Sequence, residues 1–143
     1  MSVPLAYRDV EQVQVLCLLQ SSQGVASPAD TDRLCDAVAR IAQAGSPLPV
    51  SRIALGDPQV IAPSRLTLLV HGSLSNGGNG RRLALAVRPY RASSEQSDVL
   101  FGAMPRTANF DDDAQLQSAI DASLDELLPW RSSGSGVRPI DRP

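Results

Sequence analysis

The sequence predicts an α+β domain in which two helices cover one face of a largely antiparallel sheet of four or five strands, in the order β-α-β-β-β-β-α. Three observations support this fold class. Residues 27–44 and 111–128 each carry apolar side chains at helical spacing. Residues 65–91 hold two apolar runs on either side of an Asn- and Gly-rich cluster, which is typical of a β-hairpin. Residues 13–19 are apolar at most positions, as in a central strand.

The first helix is predicted over residues 27–44, between the first strand and a short extended piece. Ser27 is a suitable N-cap, Pro28 fits the first helical position, and Gly45 would end the helix. Apolar residues three or four positions apart form its buried stripe: Leu34, Val38 and Ile41. The extended piece at 50–55 lies between prolines, so we expect it at an edge of the sheet.

The register of the hairpin follows from the alternation of its apolar side chains. Residues that lie opposite each other on paired strands share a face. The apolar faces of the two strands match only if the residue numbers of each pair add up to an odd value. A two-residue turn at Gly77 and Gly78 meets this condition and sets Val70 opposite Leu85. Both glycines should then have positive φ angles, as in a type I′ turn. A five-residue loop would mix the two faces, and we reject it.

The remaining elements complete a single domain. A strand is predicted at 98–104, ended by Pro105. The second helix is predicted at 111–128, with aspartates at its amino end, where the helix dipole favours negative charge. We therefore assign residues 1–131 to one α+β domain and residues 132–143 to a tail rich in Ser, Gly and Pro.

The alternation also divides the sheet into two faces. The face toward the helices is predicted to hold apolar residues of three strands: Val15, Cys17, Leu68, Val70, Leu83, Leu85 and Val87. The opposite face is half apolar, and no third layer is left in the chain to cover it. An apolar centre with a polar margin is the usual composition of an interface. We interpret this face as the candidate binding surface, formed by Thr67, Leu69, His71, Arg82, Ala84, Ala86 and Arg88.

Composition excludes several classes of function. The 143 residues carry a formal net charge of −2, every basic residue is arginine, and only 3% are aromatic, which argues against a nucleic-acid partner. No apolar run approaches the roughly 18–20 residues of a membrane span. The amino terminus, MSVPLAYRDV, lacks the pattern of a signal peptide. We therefore expect a periplasmic protein if an export signal has been removed from the printed chain, and a cytoplasmic protein otherwise.

The residues give little support to a catalytic, cofactor or metal site. His71 is the only histidine, and no G-x-S-x-G motif supplies a serine nucleophile. The glycine cluster at 77–80 lacks the lysine of a phosphate loop. The aspartates at 111–113 are better explained as a helix start than as metal ligands. We expect a protein that is not an enzyme and has no cofactor. The alternative is a small enzyme or ligand-binding protein that uses His71 with Arg82 or Arg88.

The two cysteines, Cys17 and Cys35, are too few for a zinc site by themselves. Each lies on the side of its element that is predicted to face the other, so we expect them close together under the first helix. Two buried thiols and a disulfide are both compatible with this position, and the choice depends on the compartment.

The order of elements resembles that of the TolB amino-terminal-like domains. The run at 64–72, SRLTLLVHG, is similar to that family's strand that ends in Gly before a hairpin. The resemblance covers residues 13–128 as a pattern. Such domains occur in small bacterial envelope proteins, including lipoproteins that activate cell-wall synthases or assemble into secretion rings. The cysteine that anchors lipid in those proteins has no counterpart here. The resemblance implies a non-catalytic periplasmic module for binding or assembly.

Two hypotheses about function follow from these observations. The first is a non-catalytic interaction or accessory module of a bacterial envelope, which docks a protein partner or a second copy of itself through the uncovered sheet face. The second is the small enzyme or ligand-binding protein described above. We favour the first because reactive side chains are scarce and no pair of acids converges.

Overall fold

The computed structural model describes residues 7–22, 24–78, 80–92 and 102–131. The strands are β1 (Gln12–Ser21), β2 (Gly24–Val25), β3 (Val50–Arg52), β4 (Arg65–Gly77), β5 (Gly80–Tyr90) and β6 (Arg106–Asn109). The main helices are α1 (Pro28–Gln43) and α2 (Asp113–Leu127), and a 3-10 helix spans Pro58–Ile61. The fold is α+β, as the sequence predicts. The predicted tail at 132–143 lies outside the described residues.

The strands form one mixed sheet in the order β2-β1-β4-β5-β6, and β3 also pairs with β1. All of β1 pairs with β4 on one side, so β2 and β3 share the other side of β1. The pairs β1–β3 and β1–β4 are parallel, and the remaining pairs are antiparallel. The parallel pairs arise because α1 carries the chain back across the sheet after β1, as a parallel connection requires.

The hairpin keeps the predicted faces but turns one residue later than expected. Gly77 pairs with Gly80, so Gly77 belongs to β4 and the turn is not formed by Gly77 and Gly78. Val70 lies opposite Val87 instead of Leu85. The positive φ angle is at Gly80, at 126°, where a Cβ would also meet the Asn109 side chain. The predicted turn position was therefore wrong, whereas the apolar faces were correctly assigned.

The last strand begins after Pro105, whereas the sequence predicts a strand that ends there. β6 covers 106–109, and 102–105 has no regular structure. The other residues of the predicted strand, 98–101, lie outside the described residues. Ala103 still donates a backbone hydrogen bond to Val87, at 2.9 Å. Proline cannot donate to a ladder, and pairing with β5 resumes only beyond it.

Both helices begin at side-chain caps and confirm the predicted segments. The Ser27 hydroxyl accepts a hydrogen bond from the Asp30 N–H at 3.1 Å, and α1 ends just before Gly45, whose φ is 76°. The Asp112 carboxylate accepts from the N–H groups of the first turn of α2. Asp111 therefore precedes the helix instead of starting it.

The core lies between the helices and the predicted inner face of the sheet. Apolar residues from all of the long elements are fully buried there, among them Val15, Leu34, Leu68, Leu83, Leu85, Ile120 and Leu124. Gly72 lies on the same face, and a Cβ added to it would be 2.7 Å from Leu19 and 3.3 Å from Leu34. The missing side chain thus lets α1 pack closely on β4.

The start of β5 is joined to both helices through Phe110 and two arginines. Phe110 is fully buried, and the guanidinium carbons of Arg33 and Arg81 lie 4.4 and 5.1 Å from its ring centre. Arg81 also forms ion pairs of 2.7 Å with Asp30 and with Asp111. One side chain of β5 therefore connects the start of α1 to the loop before α2.

This junction should make stability depend on pH in the acid range. Hydrogen bonds from the Arg81 side chain and backbone lower the pKa of Asp111 from 3.8 to about 2. A lowered pKa in the folded state contributes stability above the unfolded value of 3.8, and this contribution is lost as the pH falls toward 2. We expect Asp111→Asn to melt at a lower temperature than the native chain at neutral pH, and the two to converge at pH 2. Melting curves that stay equally far apart from pH 7 to pH 2 would contradict this.

Candidate functional site

The candidate site is the face of the sheet that points away from α1 and α2, which we call the open face. Strand register places three successive rows on it, because side chains of paired residues share a face. Its side chains come from four strands: Leu16, Leu18, Gln20, Leu69, His71, Ser73, Arg82, Ala84, Ala86, Arg88 and Thr107. Six of the seven residues predicted from the sequence lie here.

The centre of the open face carries apolar side chains around His71, and two of them are alanines. His71 of β4 lies between Leu18 of β1 and Ala86 of β5. Leu18 is 38% exposed, Ala86 is half-buried and Ala84 is exposed. Among the described residues no helix or loop covers this part of the sheet. A partner could therefore approach the backbone of β5 closely.

Two arginines mark the ends of this apolar centre. Arg82 and Arg88 are exposed and lie six residues apart on β5, which corresponds to roughly 20 Å along a strand. Neither side chain forms a hydrogen bond or ion pair with another described residue. The His71 side chain likewise has no polar partner among the residues described. The described part of the open face therefore carries positive charge without a matching carboxylate.

Thr67 does not belong to the accessible surface, contrary to the prediction. It is fully buried, as is its neighbour Gln14 on β1. The Gln14 amide donates to the Thr67 hydroxyl and to the Gln59 carbonyl, both at 3.2 Å. Gln59 belongs to the 3-10 helix, which therefore covers this end of the sheet. The periodicity of the sequence gives no sign of this cover, because the loop is irregular.

A side chain occupies one backbone N–H group at each side of the sheet. The N–H of Asn109 on β6 donates to the Gln115 side chain at 3.0 Å, and Pro105 removes a donor just before this strand. On the other side the N–H of Val50 in β3 donates to the Gln43 side chain at 2.9 Å. Groups that are already bonded are poor templates for an added strand.

Cys17 and Cys35 form a disulfide between β1 and α1, with their Cα atoms 5.8 Å apart. The prediction that the two cysteines lie close together is confirmed. Cys35 is buried, and Cys17 is half-buried on the face of β1 turned toward the helices. The bond fixes α1 to the inner face of the sheet, on the opposite side from the open face.

The three aspartates at the start of α2, residues 111–113, have separate partners. Asp111 pairs with Arg81, Asp112 caps the helix, and Asp113 lies 2.6 Å from Arg33. They point in different directions, so they do not converge on one point. Within the described ranges no group of three or more His, Cys, Asp or Glu side chains could hold a metal ion.

The open face contains one residue, Thr107, that the sequence could not assign to it. Thr107 lies opposite Ala84, and it was missed because the last strand was placed too early in the chain. Leu18 lies on the face of β1 that forms the open face. Alternation along β1 predicts this position, but it does not predict that the side chain is exposed. In the described part of the chain no helix is long and apolar enough to cross a membrane.

Comparison with known proteins identifies a similar fold. No family model matches the chain, and no curated protein matches it significantly. Among solved structures, a PelC dodecamer from Paraburkholderia phytofirmans is 15% identical, with a TM-score of 0.55, over 88% of this chain and 95% of that one. A variant PelC dodecamer from the same organism is 13% identical with a TM-score of 0.47, over 91% and 92%. The first of these matches shows that the chain shares the fold of PelC.

Proposed function

We propose that the protein is a non-catalytic assembly module that binds a second copy of itself through the open face. The observation that carries the proposal is the uncovered centre around Leu18, Ala84 and Ala86, with unpaired Arg82 and Arg88 at its ends. Apolar patches of this kind on a soluble domain generally mark an interaction site. A protein with this fold, PelC, crystallises as a dodecamer, which is consistent with self-association.

The proposal includes a place in the bacterial envelope. The Cys17–Cys35 disulfide supports an oxidising compartment such as the periplasm, since thiols in the cytosol are kept reduced. The resemblance to TolB amino-terminal-like domains points the same way, because those domains belong to envelope proteins. A non-catalytic accessory role agrees with the position of His71, which lies between the apolar residues Leu18 and Ala86.

Ala84→Arg tests self-association through the open face. Ala84 is exposed and lies opposite Ser73 and Thr107, so the substitution should leave the fold intact. A long charged side chain at the centre of the contact should prevent close approach. We expect the variant to sediment as a monomer at concentrations at which the native chain is oligomeric.

Leu55→Arg is the control, since Leu55 is 71% exposed in the loop after β3 and belongs neither to the open face nor to the two helices. This control should keep the native mass. Circular dichroism and a melting curve show whether each variant is folded. If Ala84→Arg is folded and has the same oligomeric mass as the native chain, the open face is not the interface.

A further inference from the structure

Charge is distributed unequally between the two sides of the molecule. Within the described part of the chain, the Arg82 and Arg88 side chains of the open face have no partner, and no carboxylate lies on this face. On the helical side, three arginines are each shared by two carboxylates, at N–O distances of 2.7 to 3.2 Å: Arg81 with Asp30 and Asp111, Arg52 with Asp32 and Asp36, and Arg131 with Asp121 and Asp125. The Arg81 and Arg52 groups therefore each carry one excess negative charge.

Carboxylates on this side are accessible. The side chains of Asp32 and Asp36 are 59% and 71% exposed, and that of Asp125 is 46% exposed. Asp36 also lines a groove of about 420 Å³ between the two helices, which Arg33, Arg40 and Asp113 line as well. A guanidinium from another molecule could reach these oxygens without displacing the internal arginine, because a carboxylate accepts several hydrogen bonds.

We propose that the occupant of the open face is the helical side of a second copy of this chain, in a head-to-tail contact. The inference rests on the proposed function and names its partner surface. Arg82 and Arg88 of one copy would face the carboxylate-rich helices of the next.

The two other ways of pairing sheets are disfavoured by the same structure. Pairing of edges would require free backbone groups, and side chains of Gln115 and Gln43 occupy N–H groups at the two edges. Pairing of two open faces would bring the arginines of both copies together, with no acid on either face to offset them. A head-to-tail contact matches opposite charges. Its repetition gives a ring if the rotation closes, and a filament if it does not.

Two charge-reversed chains test this arrangement. The helix variant is Asp36→Arg with Asp125→Arg. It leaves Asp32 to pair with Arg52 and Asp121 to pair with Arg131, and it removes the second carboxylate that each of these arginines contacts. The face variant is Arg82→Glu with Arg88→Glu, at two exposed positions. We expect each variant alone to dissociate, with a dissociation constant raised by more than about tenfold.

An equimolar mixture of the two variants should assemble again, because each then offers the other a complementary surface at both ends. Sedimentation velocity measures all three samples. If the helix variant alone keeps the native mass, or if the mixture stays dissociated, the head-to-tail contact is wrong. If the helix variant does not fold, Asp36→Asn with Asp125→Asn replaces it, and native-strength association of that chain overturns the inference. A native chain that is monomeric would instead refute the proposed function itself.

Discussion

Phe110→Ala should destabilise the protein by about 3–5 kcal/mol, the usual loss when a fully buried phenylalanine is truncated. The ring is fully buried and lies between the guanidinium groups of Arg33 and Arg81. Its removal leaves a cavity at the point where β5, α1 and the loop before α2 meet. The free energy of unfolding in urea, extrapolated to zero denaturant, measures the effect.

Phe110→Leu is the matched control, because it keeps an apolar side chain at this position but has no aromatic face. We expect it to cost less than Phe110→Ala, and the remaining loss includes the two cation–π contacts, each worth about 0.5–2 kcal/mol. An unfolding free energy that changes by less than 1 kcal/mol in Phe110→Ala would contradict the burial of this ring.

Replacement of both cysteines by alanine should cost about 3 kcal/mol. Cys17 and Cys35 are 18 residues apart in sequence, and a cross-link over a loop of this length restricts the unfolded chain by about that amount. The variant should therefore unfold at a lower temperature and a lower denaturant concentration than the native chain. If the variant is folded, the core between α1 and the sheet is sufficient for folding without the disulfide.

A reducing agent supplies the control for this prediction. Reductant should lower the melting temperature of the native chain to near that of the alanine variant, and should leave the variant unchanged. Titration of thiols in the denatured native protein should find none before reduction. If it finds two thiols in protein purified from an oxidising compartment, Cys17 and Cys35 do not form the bond.

The faces of the hairpin could be predicted because one property of the sequence determines them. Apolar residues alternate on β4 and β5, so any register that buries Leu68 and Leu85 must have the correct parity. Four candidate turn residues at 77–80 allow more than one turn of that parity. The position of the turn depends on which glycine has the positive φ angle, and in the structure this is Gly80.

The last strand and the covered end of the open face could not be predicted, for different reasons. The segment 98–104 is more apolar than 106–109, and only pairing with β5 shows that the ladder lies after Pro105. Thr67 was placed on the accessible surface because its parity is that of the open face. Its burial depends on the irregular loop that holds Gln59 against Gln14, for which periodicity gives no signal.

The side-chain contacts at the two edges of the sheet could not be predicted either, because they join residues that are far apart in the sequence. Gln115 and Gln43 are ordinary polar residues of two helices until the fold brings them to β6 and β3. Their positions matter for function, because groups that are already bonded are poor templates for an added strand. Arg82 and Arg88, in contrast, could be assigned from strand parity alone.

The central claim is that the protein associates with itself, and the mass of the native chain in solution tests it most directly. Sedimentation velocity over a range of concentrations, with the disulfide intact, gives this mass without any substitution. We predict a species of several times 15.1 kDa that dissociates on dilution or at high salt. A mass of 15.1 kDa at every concentration, up to the limit of solubility, would contradict the claim.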